Sequence, residues 1–318
     1  MSSILNLGDN VYQIDVHDQG MPKRTSCYLI VGEKVALLET GPTPSIGYIL
    51  DGLKSLGVPP EKVDYIILTH IHLDHAGGAG AIVQELPKAR VFVHPKGAKH
   101  LSDPSQLIAG TKAIYKEHYH DFFGHVLPIP EDRVHTPGDG EILDLGGGRL
   151  LTFYYSPGHA SHHLVIHDPV SRGVFGGDAL GVRIHSLSEL IGSDFVLPFT
   201  PPTEFDPLAA KNTLDRMRGL NLETIYFGHF GKAGGAPAIL ARNTELLEAY
   251  AAIGRRVLAA GGTVEEIKES LWELLRGELA QYGITAREHP LLKSFEPDLE
   301  LSSQGIAYYF KGVGLAKL

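Results

Sequence analysis

The stretch Thr69-His70-Ile71-His72-Leu73-Asp74-His75 sets the interpretation of the whole 318-residue chain. It follows an apolar run, Val63 to Leu68, that predicts a buried β-strand. Zinc and iron in proteins are commonly bound by imidazoles and carboxylates. In this chain, four such groups follow the C-terminal end of the predicted strand. Alternate positions of an extended turn project to the same side, so His70 and His72 can share one ion, while Asp74 and His75 turn toward a neighbouring position. The stretch therefore predicts a metal site.

Three further potential ligands come later in the chain, each just past a strand-like run. They are His159, Asp178 and His229. Together with the imidazoles and the carboxylate of the first stretch, they complete a set that can close one site for two metal ions. Two cations close together lower the pKa of a shared water and polarise a carbonyl or phosphoryl oxygen. The set therefore predicts a site for two metal ions.

The sequence around these residues resembles the metallo-β-lactamase superfamily and, within it, the glyoxalase II-like hydrolases. The resemblance covers about residues 10 to 235 and rests on four pieces, which are Leu68–Gly78, Ser156–His163, Phe175–Leu180 and Phe227–His229. It implies an α/β fold in which two sheets are sandwiched between helices, an αββα sandwich, with the site at one edge. Strands with interspersed helices in both halves of the chain favour the same architecture.

The resemblance also implies a role for each ligand. The first ion would be held by His70, His72 and His159. The second would be held by Asp74, His75 and His229, and Asp178 would bridge both. A water or hydroxide between the ions would be the nucleophile, so Asp74 and Asp178 are the carboxylates expected to take part in catalysis. The expected cofactors are two divalent ions, with Zn²⁺ favoured and iron or manganese as alternatives.

Two residues near the ligands have roles that the sequence leaves open. The family usually carries Asp-Thr-Gly at the end of an early strand, where the Asp orients a metal-bound imidazole, but this chain has Glu39-Thr40-Gly41. The extra methylene of Glu39 can still reach, which would shift that contact rather than remove it. The family also often has a histidine at the place of His163, near the site, and this histidine could orient a ligand.

The pattern along the chain predicts two parts. Residues 1–235 form the lactamase-like domain, with a helical insertion at about 96–130, and residues 236–318 form a mainly helical extension. In the extension, 236–260 and 263–282 are predicted as amphipathic helices divided by two glycines. They are expected to shape the substrate pocket, to cap the core, or to pair with a second subunit in a homodimer. The insertion carries Tyr115, Tyr119, Phe122 and Phe123 at helical spacing, as core or as pocket.

Composition excludes several classes of function. A net charge of −9 argues against nucleic-acid binding, which needs a basic face. The single cysteine, Cys27, cannot form an intrachain disulfide, which fits a reducing cytoplasm. The first residues lack the features of a secretory signal, and no stretch approaches the ~20 apolar residues of a membrane span. The expectation is a cytoplasmic protein without nucleic-acid or membrane partners.

Three functions remain. The first is hydrolysis of an ester-like bond, a thioester, lactone or related acyl group, in a small-molecule substrate. The second is iron-dependent oxygen or sulfur chemistry, as in the sulfur dioxygenase and flavodiiron branches, although the flavodiiron branch typically has a carboxylate where this chain has His72. The third is a largely non-catalytic, metal-containing regulatory protein, because the helical extension resembles the layout of the branch that includes the quinolone-signal thioesterase of the PqsE type.

Overall fold

The computed structural model of the protein describes residues 3–286, 288–293 and 295–313, and the elements below lie within them. The strands are β1 (Ile4–Asn6), β2 (Val11–Asp15), β3 (Ser26–Val31), β4 (Val35–Leu38), β5 (Val63–Ile67), β6 (Arg90–Phe92), β7 (Val134–His135), β8 (Ile142–Asp144), β9 (Leu150–Tyr155), β10 (Leu164–Asp168), β11 (Gly173–Gly177), β12 (Val182–Arg183), β13 (Val196–Leu197), β14 (Thr224–Phe227) and β15 (Gly231–Gly234).

The α-helices within the same residues are α1 (Ile46–Ser55), α2 (Leu73–Ala76), α3 (Ala79–Glu85), α4 (Pro95–Ser102), α5 (Ser105–Tyr115), α6 (Tyr119–Phe123), α7 (His185–Ile191), α8 (Pro207–Arg218), α9 (Ala236–Ala259), α10 (Val264–Ala280), α11 (Pro290–Lys293) and α12 (Glu296–Val313). Mixed strands and helices, with helices at the C-terminal end, agree with the predicted fold class.

The chain divides into two compact units. The sheet unit consists of Met1–Ser156, His162–Gly177 and Asn221–Ala236. The helical unit consists of Pro157–Ser161, Asp178–Leu220 and Pro237–Leu318. Two internal segments, 157–161 and 178–220, thus group with the C-terminal helices. The domain boundary predicted near residue 235 is a different division of the chain, and it stays a prediction.

The sheet unit contains two sheets. The first has the strand order β1-β2-β3-β4-β5-β6-β7, antiparallel from β1 to β4 and parallel from β4 to β7. The second has the order β15-β14-β11-β10-β9-β8, in which only the β11–β14 pair is parallel. Parallel strands place their carboxyl ends at one edge of a sheet, which is where binding residues commonly lie.

Apolar side chains from both sheets meet in one core. Tyr28 and Ile30 of β3 belong to the same buried cluster as Phe153, Phe175 and Tyr226 of the second sheet. The rings of Tyr28 and Phe175 meet edge to face, with centroids 5.4 Å apart. The Tyr28 hydroxyl lies 2.6 Å from the carbonyl oxygen of residue 227, so this deep tyrosine satisfies its polar end. The two sheets therefore pack face to face.

Helices α1 and α3 cover the other face of the first sheet. Ile49 of α1 and Ile82 of α3 lie in a second buried cluster together with Ile66 of β5. Gly52 allows α1 to approach closely, because a Cβ there would lie 2.7 Å from Cδ1 of Ile14. Burial of these side chains is the main force that holds helix to sheet, at about 1.5–3 kcal/mol for each large aliphatic residue.

The insertion between β6 and β7 is helical, as the sequence indicates, and comprises α4, α5 and α6. Its aromatic residues belong to the core rather than to an open pocket wall. Tyr119 and Phe123 are buried in a small cluster with Leu73, against which Tyr115 and Phe122 pack. Since Leu73 belongs to the ligand-bearing stretch after β5, the insertion buttresses that stretch.

The helical unit confirms the two amphipathic helices predicted for the extension as α9 and α10. Thr263 and Glu266 form a reciprocal capping box at the start of α10, and Leu271, Trp272 and Leu275 form its buried face. The helix α12 was not predicted. None of the helices within the described residues combines the length and the apolar character that crossing a bilayer requires.

Candidate metal centre

The loop after β5 brings His70 and His72 together. Nε2 of His70 lies 3.0 Å from Nδ1 of His72. The other ring nitrogen of His70, Nδ1, lies 3.0 Å from the hydroxyl oxygen of Thr69, which fixes the ring. His70 is completely buried. Two ring nitrogens this close repel through their lone pairs unless a proton or a cation lies between them, so the pair is suited to chelation, as predicted.

A second group combines Asp74, His75 and His229. Oδ2 of Asp74 lies 3.4 Å from Nε2 of His75 and 3.5 Å from Nε2 of His229. Tetrahedral metal–ligand bonds of 2.0–2.1 Å place neighbouring ligand atoms about 3.3 Å apart. The spacing therefore fits a cation held by one carboxylate oxygen and two imidazole nitrogens. The sequence separation of more than 150 residues is closed by β14, whose end carries His229.

Glu39 reaches the second group from the end of β4. Its Oε1 accepts a hydrogen bond of 2.9 Å from the backbone N–H of Thr69, and its Oε2 lies 3.3 Å from Nδ1 of His75. This carboxylate leaves Nε2 of His75 to face Asp74. The backbone of Glu39 has φ +65, a left-handed conformation that costs about 1–3 kcal/mol for a non-glycine residue and concentrates at functional sites. The longer side chain thus does reach the imidazole.

Replacing Glu39 by glutamine is expected to lower metal affinity about 10–100-fold, the usual effect of losing a contact that orients a ligand. Glutamine offers one acceptor oxygen, whereas Glu39 uses both oxygens, one on Thr69 and one on His75. Competition with a chromogenic chelator measures the change. Glu33→Gln, at an exposed position between β3 and β4, is the control. Equal affinity of both variants would reject the orienting role of Glu39.

The charges around the second group favour an ionised Asp74. Burial raises the pKa of Asp74, but the positive charge of His75 and hydrogen bonds from His229 and His75 outweigh it and hold the pKa well below its usual range. Burial raises the pKa of Asp18, and the negative charge of Asp74 adds to this. Asp18 is completely buried and lies 3.1 Å from Nε of Arg24. An ionised Asp74 is the state that a metal requires.

His163 packs on a predicted ligand. Its ring stacks on that of His70 with centroids 4.8 Å apart, and its Nδ1 lies 2.8 Å from the hydroxyl oxygen of Ser156. Gly177, with φ +48, allows this packing, because a Cβ there would lie 2.6 Å from Nε2 of His163. His163 therefore lies behind His70, in contact with its ring. The sequence alone leaves this position open.

His94 serves the fold rather than the ligand set. Its Nδ1 accepts a hydrogen bond of 3.1 Å from the backbone N–H of Lys96 and so caps α4. Burial, with the positive charges of Lys96 and His162, lowers the pKa of His94 to about 4. His94 is therefore a neutral cap at physiological pH.

In the helical unit, His159 and Asp178 form a pair. Nε2 of His159 lies 3.7 Å from Oδ2 of Asp178, and both side chains are buried. Nδ1 of His159 lies 3.1 Å from the carbonyl oxygen of Phe199. Because a carbonyl can only accept, Nδ1 carries the proton and Nε2 presents its lone pair toward Asp178. This is the arrangement that metal-binding histidines share.

Sequence reasoning missed Asn243 of α9, which lies beside this pair. The side chain is 3 % exposed, and its Oδ1 has no hydrogen-bond partner among the residues that the structure describes. Asn243, His159 and Asp178 are among the residues that line a cavity of about 20 Å³, room for one water molecule. An asparagine among the mainly apolar residues of the buried face of α9 is the sequence signal that could have drawn attention to this position.

The predicted ligands therefore fall into groups that the structure describes unit by unit. The sheet unit contains His70, His72, Asp74, His75 and His229, and the helical unit contains His159 and Asp178. Among the described residues, the donor atoms of Asp74, His75 and His229 lie within 4.8 Å of one another. The assignment of all these residues to two ions stays a prediction.

Comparison with known proteins identifies the family of the chain. The family model described as the metallo-beta-lactamase superfamily matches residues 20–229. The metallo-beta-lactamase fold-containing protein ST1585 of Sulfurisphaera tokodaii is 28% identical over 262 residues, which is 80% of this chain and 91% of that protein. The crystal structure of ST1585 from Sulfolobus tokodaii is 26% identical and has a TM-score of 0.61. The match covers 74% of this chain and 85% of that one.

Other similar proteins differ in described activity. The probable metallo-hydrolase YflN of Bacillus subtilis is 25% identical over 61% of this chain and 74% of its own length. The rubredoxin-oxygen oxidoreductase of Megalodesulfovibrio gigas is 29% identical over 41% of this chain and 26% of its own length. The structure of the metallo-beta-lactamase family protein TTHA1429 from Thermus thermophilus covers 97% of this chain and 95% of that one, with a TM-score of 0.68 at 20% identity. The last match shows a shared fold that includes the C-terminal helices.

Proposed function

The chain belongs to the metallo-beta-lactamase superfamily, and from this membership we propose that it is a metal-dependent hydrolase of an ester-like bond in a small acyl substrate. The predicted α/β sandwich is the fold of the family, and it carries a helical C-terminal extension. Relatives in the family include a probable metallo-hydrolase and an oxidoreductase. The thioester or lactone specificity is the finer part of the proposal.

The observation that carries the proposal is the convergence of Asp74, His75 and His229. Their donor atoms have the spacing of metal ligands, although they come from two distant parts of the chain. Oε2 of Glu39 contacts Nδ1 of His75, while Nε2 of the same ring faces Asp74. A surface cluster of charged groups would not need this second carboxylate. An ion pair made only for stability would not require such orientation of the imidazole.

We assign the ligands as the sequence predicts. One ion would be held by His70, His72 and His159, a second by Asp74, His75 and His229, with Asp178 between them. When bound, such ions supply a water of lowered pKa and polarise the acyl oxygen. The carboxylates of Asp74 and Asp178 offset the charge of the cations, and buried His70 keeps bulk water from one side. Zn²⁺ is the favoured ion, with iron or manganese as alternatives.

We propose a small-molecule acyl substrate rather than a nucleic acid. The net charge of −9 disfavours nucleic acids. We propose a substrate small enough to be held by the walls of the site, and no membrane partner.

A second candidate function is oxygen or sulfur chemistry at iron. The similarity to the rubredoxin-oxygen oxidoreductase favours it. The imidazole of His72 argues against the flavodiiron branch, where a carboxylate is typical at this place, because His72 here lies against His70 at 3.0 Å. We therefore rank hydrolysis first.

A substrate panel tests the proposal. The protein is loaded with Zn²⁺, and half is then stripped with a chelator, before exposure to thioesters, lactones, p-nitrophenyl acyl esters and a phosphodiester. We expect the loaded protein to cleave an acyl class fastest and the stripped protein to lose this activity. Oxygen consumption by the iron-loaded form without acyl cleavage would support the redox function. A fully loaded protein that turns over no member of the panel would contradict the proposal and favour a regulatory role.

A further inference from the structure

A backbone carbonyl contributes to the orientation of His159. Its Nδ1 lies 3.1 Å from the carbonyl oxygen of Phe199, and the Phe199 ring stacks on the imidazole with centroids 5.8 Å apart. Whatever holds Phe199 in place therefore helps to set where Nε2 of His159 points. That atom is the one that faces Asp178.

The segment around Phe199 cannot hold itself. It runs from Pro198 through Thr200 to two further prolines and lies between β13 and α8, without strand pairing or helix of its own. Prolines carry no backbone N–H, so the segment has few hydrogen bonds with which to fix its carbonyls. It is nevertheless well buried, and Thr200 is 0 % exposed. An external support is required.

The support is α12. The hydroxyl of Thr200 donates a hydrogen bond of 2.9 Å to the carbonyl oxygen of Ser302. One turn further along α12, Gly305 faces the same segment, and a Cβ at this position would lie 2.1 Å from the carbonyl oxygen of Thr200 and 2.5 Å from that of Pro201. Only glycine permits this approach, although glycine inside a helix costs about 1 kcal/mol relative to alanine.

The helix α12 is itself fixed. Ile306 and Phe310 of α12 are buried, and they pack so closely on Gly254 of α9 that a Cβ there would lie 2.2 Å from Cγ2 of Ile306. Nζ of Lys268 in α10 lies 3.0 Å from Oε2 of Glu300. The packing of α9 and α10 on α12 therefore continues through Thr200 and Phe199 to the imidazole of His159.

We propose that α12 is the positioning element of His159, and that Thr200 and Gly305 are positioning residues that act through the Phe199 carbonyl. The relevance of this contact to metal rests on the proposed function. The helical extension would then contribute to the chemistry of the site, in addition to any role as pocket wall or dimer interface.

Two variants with matched controls test the proposal. Thr200→Val removes the hydroxyl at nearly constant side-chain volume. Gly305→Ala places a Cβ against the carbonyl oxygens of Thr200 and Pro201, so the segment that carries Phe199 must shift. The controls are Thr244→Val, whose buried hydroxyl donates a hydrogen bond of 2.8 Å to the carbonyl oxygen of Leu240 in its own helix, and Gly312→Ala, on α12, where no atom of the described residues lies within 4 Å of the added Cβ. The readouts are the rate of zinc loss to an excess of chelator and the ¹⁵N spectrum of the histidine side chains in the metal-free protein.

We expect Thr200→Val to lose zinc about 10-fold faster, at the low end of the effect of altered ligand support, and the controls to behave as wild type. In the metal-free protein, the Nδ1-protonated form of His159 should dominate in wild type and give way to a mixture in Thr200→Val. If Gly305→Ala does not fold, Thr200→Val alone decides. Unchanged zinc loss and an unchanged His159 spectrum in Thr200→Val would overturn the proposal. If wild type binds no zinc, the proposed function fails, and the spectrum alone still tests the positioning.

Discussion

Asp178→Asn is expected to lower kcat/KM for the best acyl substrate by about 10²-fold or more, because even indirect changes around a metal cost 10–100-fold. The asparagine keeps the size of the side chain but not its charge, which is what offsets the repulsion between two cations. The loss corresponds to about 2.7 kcal/mol of transition-state stabilisation. The stability of the metal-free protein should change by less, because the asparagine keeps the volume of the buried side chain and removes a charge from a buried position.

Denaturant unfolding of the metal-free protein and steady-state kinetics of the loaded protein separate the two effects. Asp194→Asn is the control, because Asp194 lies in the same unit but forms an exposed ion pair with Arg183 at 2.7 Å. Such surface pairs contribute about 0–1 kcal/mol. A well-folded Asp178→Asn protein with near-normal turnover would reject the role of Asp178 between two ions.

Gly158→Ala is expected to have the largest effect on stability. Gly158 precedes His159 and has φ +138, a conformation that costs other residues about 1–3 kcal/mol. An added Cβ would lie 2.3 Å from Cα of Ala210 in α8, backbone that cannot move alone. Overpacking of this kind costs about 1–3 kcal/mol more. The carbonyl oxygen of Gly158 also accepts a hydrogen bond of 2.8 Å from the N–H of Asp206, which caps α8.

The sum is a loss of roughly 2–6 kcal/mol in the free energy of unfolding, measured by denaturant titration of the metal-free protein. Gly192→Ala separates the two contributions, because Gly192 has φ +69 and no atom of the described part of the chain lies within 4 Å of an added Cβ. Gly192→Ala should therefore lower the free energy of unfolding only by the cost of the backbone conformation. Equal losses in the two variants would show that the contact of Gly158 with α8 contributes nothing.

The sequence predicts much of the sheet unit because its signals are local. The strand Val63–Leu68 and the ligands after it lie within a dozen residues, and β5 ends at Ile67 as the apolar run indicates. The predicted pairing of His70 with His72 follows from alternation in an extended turn, and their ring nitrogens do meet. Recognition of the family supplied the distant members of the set, which no local pattern could connect.

The remainder depends on contacts that sequence spacing does not encode. Whether Glu39 reaches His75 is a matter of one methylene and of a left-handed backbone at residue 39. The sequence gives no bounds for α12 within the predicted helical extension, and Gly305 in its middle disfavours a helix at that point. Glycine is needed at position 305 because α12 approaches the carbonyl oxygen of Thr200 closely, and this contact exists only in the folded protein. The aromatic residues of the insertion likewise became core because Leu73 lies under them.

Titration of metal-free protein with zinc, with bound metal and acyl hydrolysis recorded on the same samples, tests the central claim most directly. We predict that hydrolysis rises with occupancy and levels off at about two ions per chain, as expected for a two-metal site. The ligand spacing around Asp74 requires uptake of at least the ion held with His75 and His229. Protein that takes up less than about one ion per chain, or that hydrolyses its substrate equally well after chelation, would contradict the account.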